Sequence, residues 1–432
     1  MSPPRRACLA LTALIALGAT SCSTSTPAAH LTTSSPSRLA PSDTPAAPTA
    51  PTPIADPWRA YRTSVNPGSA VDFVTAGVGW RVAGQIFGPG IDANLGSGVV
   101  DNGSAWPGTS VQSTSNGGAT WSTVLQITTG IWGIDFVSST LGFAVGVTRL
   151  LGTSDGGDHW RQLGEPSGHT LVWVDFSSTV AGYGLTTNGQ LVRTSDGGSS
   201  WSSTVLGRAA QAACFPGGED GYAVSSTGAL YATRDGGSSW SVLLNGPPKV
   251  EQFIGPWGDL SCSGTSLWLG LQLFCAAACG GTEPYLVEHS ANDGTSWSKM
   301  ASDWPGAAPV VAPAAHLAAV AAASSGAGVI ATLPTDNFPS PPQLTVLFGR
   351  ASGPVSTALV PRLPPSSAAT PGLYVVVRGI SFVGSRGWLY FDDTSLRSPR
   401  PGGEPVLWET TDGGTSWRFL DAGPTELPPA LS

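Results

Sequence analysis

TSDGGSSW, residues 194–201, decides the fold. It joins a hydroxyl residue, a carboxylate two positions on, a glycine pair and a closing tryptophan. Five stretches repeat it: TSNGGATW (114–121), TSDGGDHW (153–160), TRDGGSSW (233–240), SANDGTSW (290–297) and TTDGGTSW (410–417). Trp121, Trp160, Trp201 and Trp240 are spaced 39, 41 and 39 residues apart. The chemistry is that of a hairpin turn. Asn116, Asp155, Asp196, Asp235, Asn292 and Asp412 can accept backbone N–H groups of their own turns. Glycine supplies the positive φ that a Cβ would oppose. Trp121, Trp160, Trp201, Trp240, Trp297 and Trp417 then start the next strand and bury a large ring between neighbouring sheets. None of this needs a substrate, so the six Asp and Asn residues are read as structural.

A second piece recurs upstream of the turn: VDFVTAGVGWRVAG (71–84), IDFVSSTLGFAVG (134–146), VDFSSTVAGYGL (174–185), ACFPGGEDGYAV (213–224) and ISFVGSRGWLY (380–390). An apolar-x-Phe strand is followed by a short turn, a Gly-aromatic pair and a second strand. Each repeat therefore reads as strand A, turn, strand B, loop, strand C, motif turn, strand D. A four-stranded unit returning about every 40 residues is a propeller blade. Leu260–Trp297 fits as a diverged blade, and 316–350 shows the A/B pattern without the motif. The sequence predicts an all-β, seven-bladed propeller with blades near 66–122, 132–162, 171–205, 211–245, 257–302, 312–352 and 374–420. Trp58–Arg62 is a candidate strand to pair with the last blade.

Composition agrees with many short strands and tight turns. The chain has 432 residues, 56 Gly, 37 Pro and 16 Trp, and only 11% charged residues. Such a composition excludes a helical bundle or coiled coil. A net charge of −8 with only two Lys also argues against a nucleic-acid binder, which needs a phosphate-neutralising patch.

The first residues are read as an export signal, with Arg5 and Arg6 preceding an apolar run from Ala7 to Ala19. The run is too short to span a membrane and suits a signal peptide. It ends in Ala19-Thr20-Ser21-Cys22, which resembles the lipobox of bacterial lipoproteins and implies lipidation of Cys22. Ala19 stands where that family has Leu, and Ala19-x-Ser21 also suits ordinary cleavage. The organisation predicted is a signal over 1–21, a Ser/Thr/Pro/Ala-rich disordered tether over 22–56, the propeller over 57–425 and a disordered tail over 426–432. The protein is expected on the outer face of a bacterial cytoplasmic membrane, or secreted.

The six-fold motif resembles the Asp-box, or bacterial neuraminidase repeat. With the upstream pieces, 66–420 resembles the seven-bladed propellers typified by the photosystem II stability and assembly factor, with their sialidase-like relatives. The resemblance implies an assembly role on a membrane protein for the first group and glycan hydrolysis for the second. Sialidases of this kind use an arginine triad, a Tyr–Glu pair and an Asp acid/base, with an Arg in a Phe/Tyr-Arg-Ile-Pro motif. That motif is missing here. Arg59, Arg62 and Arg81 lie in its region without its context, and Tyr183 and Tyr222 occupy the packing Gly-aromatic position. Xyloglucanase-type relatives need two propellers and an Asp pair across a cleft, whereas this chain has one propeller. No catalytic residue is assigned, and no cofactor is implied.

Asp72, Asp135 and Asp175 recur at one register of strand A, beside the channel. They read either as buried carboxylates satisfied by neighbouring backbone N–H groups or as a carboxylate ring able to bind a cation or basic group. The five His are scattered, and no Cys/His cluster suggests a metal. Beyond Cys8 and Cys22, four cysteines remain, and an even number in an exported chain suggests two disulfides. Cys214 and Cys262 lie at nearly equivalent registers of adjacent inner strands, so the predicted pairs are Cys214–Cys262 and Cys275–Cys279.

Loop lengths mark one face. Blades two to four have short B–C connections. Blades one, five, six and seven carry excursions at 85–110, 271–285, 333–343 and 391–405, which form one contiguous arc opposite the motif turns. Long loops on a rigid scaffold commonly carry function. The first excursion holds Asp92, Asp101 and Trp106, the second Glu283 and Tyr285, and the third Asp336 and Phe338. The fourth holds Asp392, Asp393, Arg397 and Arg400. Aromatics among acids suit a protein or glycan contact. The expected role is a non-catalytic binding or assembly scaffold for an envelope or membrane protein. The alternative is a glycan-directed protein, either a sialidase-like hydrolase or a carbohydrate binder.

Overall fold

The computed structural model describes residues 69–84, 109–127, 130–146, 149–217, 219–247, 253–275, 284–302, 315–323, 327–334, 345–349, 355–358, 375–393 and 404–421. They form seven four-stranded antiparallel sheets, each built from four consecutive strands in the order A-B-C-D. The sheets span 71–127, 131–162, 171–203, 210–244, 253–302, 315–357 and 375–421. The predicted seven-bladed propeller is the observed fold. Blade five begins at Phe253, earlier than the motif grid suggested, and blade six ends at Thr357, beyond residue 352.

Burial follows position in the blade. Strand B stands between two neighbouring sheets and is buried on both faces, as in Gly79–Ala83 and Gly142–Gly146. Strand D lies at the rim and is exposed in Arg161–Gln162 and Ser202–Ser203. The glycine opening strand B has a packing reason. At Gly142 a Cβ would stand 2.2 Å from the Phe136 ring. Phe136 of strand A lies flat over that glycine, and on its other face stacks Trp80 of the preceding blade, at 3.6 Å between centroids and 3° between planes. Phe143 with Phe176 (3.5 Å) and Tyr183 with Phe215 (3.5 Å) repeat the arrangement. Such aromatic pairs contribute about 0.5 to 1.5 kcal/mol beyond the area they bury.

These stacks, and not the motif tryptophans, wedge the sheets apart. Trp121, Trp160, Trp201, Trp240 and Trp297 are half-buried, and only Trp417 is buried. Strand D begins one residue after the tryptophan, at Ser122, Arg161, Ser202, Ser241, Ser298 and Arg418. The indole instead stands edge-on to the strand-A phenylalanine of its own blade, as Trp160 does to Phe136 at 6.2 Å and 87°. It covers the rim side of a ring already stacked on its faces.

The ring closes through side chains and backbone between blades seven and one. Phe73 stacks on Trp388 at 3.6 Å and 2°. Tyr390 Oη donates to the Val82 carbonyl at 2.9 Å, and the Ala70 N–H donates to the Arg378 carbonyl at 2.9 Å. Trp58–Arg62 lie outside the described residues; among those described, the last sheet takes all four strands from 375–421.

Candidate functional site

The motif turns are closed by a three-part device. In TSDGGSSW the Thr194 hydroxyl donates to Asp196 Oδ1 at 2.8 Å and accepts the Gly198 N–H at 2.9 Å. Asp196 Oδ1 also accepts the Ser200 N–H at 2.9 Å. The same bond from the residue four positions on reaches Asn116, Asp155, Asp235, Asn292 and Asp412 at 2.8 to 3.0 Å. Asp155 and Asp196 are exposed, yet these donors hold their carboxyls down at about 2. Backbone N–H and side-chain donation from His159 dominate at Asp155, and the Ser200 hydroxyl leads at Asp196. The six residues are thus engaged by their own turns, as the sequence implied. Both motif glycines adopt positive φ, for example Gly197 at 71° and Gly198 at 82°.

The fifth copy departs from this pattern. Asp293 replaces the first glycine and still takes φ 55°. At other seams the polar tip of the strand-B aromatic approaches this position of the next blade's turn. Trp80 Nε1 donates to the Gly156 carbonyl at 3.0 Å, and Trp388 Nε1 to the Gly117 carbonyl at 3.0 Å. Blade four offers Tyr222, whose hydroxyl donates to Asp293 Oδ1 at 3.2 Å while accepting from Arg234 Nη1 at 3.0 Å.

The recurring carboxylates of strand A reach across the seams. Asp72 accepts the Phe136 N–H at 2.7 Å, Asp135 the Phe176 N–H at 2.7 Å, and Asp175 the Phe215 N–H at 3.0 Å. Each donor is on strand A of the following blade. The same register holds Cys214, Ser261 and Ser381 opposite a strand-B aromatic, and Ala321 opposite Val329, in the later blades. Ser381 Oγ accepts the Phe73 N–H at 3.0 Å and Ser261 Oγ the Ala322 N–H at 3.0 Å. Cys214 forms a disulfide with Cys262. The predicted pair is present, with one refinement: Cys262 sits one residue later than Cys214 in register, where the other blades place the N–H donor. Cys275–Cys279 falls outside the described residues. Except in blade six, where Ala321 stands, the register therefore clasps a seam, and this holds the repeated aspartates in place.

These three half-buried residues hold their carboxylates in the seams between inner strands. Burial pushes Asp72 and Asp175 up to about 6, opposed by their N–H donors. Asp135 stands between them and is raised well above its ordinary value by burial, then by the charges of Asp175 and Asp72.

Part of the channel forms a cavity of about 190 Å³, lined among others by Trp173, Asp259, Val320 and Arg378. Asp259 is buried and accepts the N–H groups of Val320 and Leu260 at 2.8 and 2.9 Å. Sequence reading missed Asp259, because blade five lacks the Asp-Phe pair that flagged the register in blades one to three, and missed Arg378 of blade seven, which lies before the ISF piece. It also missed Glu409, wholly buried in blade seven and paired with both Arg386 and Arg418. Among the described residues no three His, Cys, Asp or Glu side chains group as metal ligands.

The proposed contact arc is placed only in part. Strands B and C bracket long connections at 84–108, 276–284, 335–344 and 394–403, against 147–149, 187–190 and 226–229 in blades two to four. Asp92, Asp101, Trp106, Glu283, Asp336, Phe338, Arg397 and Arg400 lie outside the described residues. Asp392 and Asp393 are not loop residues; their backbones pair at the end of strand Arg386–Asp393. Tyr285 is corrected as well. It opens strand Tyr285–Ser290 and is wholly buried, so it offers no contact surface.

Fold and turns together define the class: a seven-bladed propeller of the Asp-box type. Residues 112–248, running from strand C of blade one through blade four, match the family model described as Photosynthesis system II assembly factor YCF48. A solved structure described as YCF48 bound to D1 peptide is 18% identical and covers 67% of this chain and 82% of that chain, with TM-score 0.43. YCF48 from Cyanidioschyzon merolae is 16% identical over 67% of this chain and 84% of that chain, with TM-score 0.41. The GH74 xyloglucanase from Xanthomonas campestris is 12% identical over 84% of this chain and 55% of its own, with TM-score 0.50. At these identities the likeness is one of fold. Comparison with curated proteins found no match.

Proposed function

We propose that this propeller is a non-catalytic scaffold that binds an envelope or membrane protein during assembly, exported and tethered through a lipid on Cys22. The carrying observation is the match of 112–248 to the model of an assembly factor. The engagement of the described strand-A and motif carboxylates by backbone N–H groups supports binding over catalysis. The long B–C connections of blades five, six, seven and one supply the contact arc, with rim acids and aromatics as anchors. The glycan-directed alternative rests on likeness of fold alone.

Crosslinking of the tethered protein in native membranes, read by mass spectrometry, identifies the partner. Deleting 85–108 and 394–403 together is expected to abolish capture while moving the thermal midpoint little, because both segments lie between strands. Undiminished capture by that variant removes the arc from the reading, and capture of no membrane or envelope protein by the intact chain removes the reading itself.

A further inference from the structure

We propose that Cys214–Cys262 is a redox-operated clasp: oxidised, it ties blade four to blade five; reduced by a dithiol, it loosens that seam while the other six stay closed. The argument begins with register. At this register three seams are clasped by a carboxylate that accepts the next blade's N–H and two by a serine hydroxyl, while blade six has Ala321 there. At the seam between blades four and five, Cys214 occupies the clasp position, with Cα atoms 6.1 Å apart from Cys262. A thiol is a weak acceptor, so reduction puts nothing equivalent in place of the covalent tie.

Other contacts make the loosening local. On the motif side of this seam Tyr222 and Arg234 still reach Asp293. Tyr222, Val224, Leu267 and Leu269 still share one apolar cluster. The inner strands lose their tie while the middle of the sheets stays packed. The seam also lies where the family-model match ends.

Access sets the direction of the chemistry. Cys214 is buried, whereas Cys262 is half-buried and precedes the exposed turn at Gly264 and Thr265. A thiolate of the dithiol attacks Cys262 Sγ, the S–S bond breaks, and its electron pair leaves on Cys214 Sγ, which takes a proton. The reagent's second thiol then displaces Cys262 as a thiol. The reagent ends as a cyclic disulfide, having supplied both electrons.

Hydrogen exchange read by mass spectrometry tests this on the full chain, oxidised and after dithiothreitol at one pH. Reduction is expected to speed exchange of amides in 212–215 and 258–263 by at least about tenfold, leaving Ile131–Phe136 and Leu171–Phe176 unchanged. The double variant C214D/C262A restores a carboxylate to the clasp register and is expected to exchange alike with and without reductant. Equal exchange in both states of the wild type overturns the proposal. So does loss of protection spread over all seven blades, or free thiols at Cys214 and Cys262 in the non-reduced protein. Should the double variant fail to fold, the wild-type comparison decides alone.

Discussion

At the scale of single residues the same carboxylate does two opposite things. In the motif turns it is exposed and surrounded by donors, so its folded pKa falls, to about 2 at Asp155 and Asp196. Those turns contribute stability that is present above about pH 4 and lost as pH falls toward 2. In the inner seams burial dominates, so its folded pKa rises, to about 6 at Asp72 and Asp175. Their contribution is complete below the unfolded value near 4 and is lost as pH climbs through about 6. Between pH 4 and 7 the channel set dominates the slope. The variant D72N/D135N/D175N keeps an acceptor oxygen at each clasp and is expected to show a flatter thermal midpoint over that range by calorimetry. A second expectation concerns the turns. Asp196→Ala is expected to lower the midpoint of urea unfolding, by analogy with a lost helix cap. Asp196→Asn is expected to cost little, because Asn116 and Asn292 already hold the same Oδ1 bonds.

At the scale of the blade, strand order was legible because the turn and the Gly-aromatic pair punctuate each repeat. The residue that separates the sheets was not legible. The tryptophan of TSDGGSSW is the largest ring in the repeat and invites the role, but the structure gives it to the strand-A phenylalanine. Which ring stacks on which depends on the neighbouring sheet, some 40 residues away, and no local pattern encodes that pairing. Phe136→Ala is therefore expected to be more damaging than Trp160→Ala. Removing Phe136 empties the space between Gly142 and Trp80 and should cost about 3 to 5 kcal/mol in denaturant unfolding. Tyr285 teaches a related lesson. Its position beside a long connection suggested exposure, yet one residue inside the strand was enough to bury it.

At the scale of the whole molecule, blades seven and one meet with no chain link between them. Their seam uses the parts found at internal seams: a stacked ring pair, an indole N–H to a turn carbonyl, and a clasp from the Asp register. Trp388→Phe keeps the stack and removes the bond to Gly117, so it should cost about 1 kcal/mol. Trp388→Ala removes both and should cost about 3 to 5 kcal/mol. Hydrogen exchange in Val71–Phe73 and Val375–Val383 would rise first if closure is the weak point of the ring.

By itself the sequence determined the repeat, the strand order, the blade number and the chemistry of the turns. Each of these is set by contacts within about forty residues, where periodic glycine, hydroxyl and carboxylate positions leave a readable trace. Only the tertiary structure decided what the channel aspartates hold, which rings lie between sheets, how Cys262 is offset from Cys214, and how the last blade meets the first. Those facts live in the seams, where the partner of each group belongs to another blade and its identity depends on the angle at which two sheets pack.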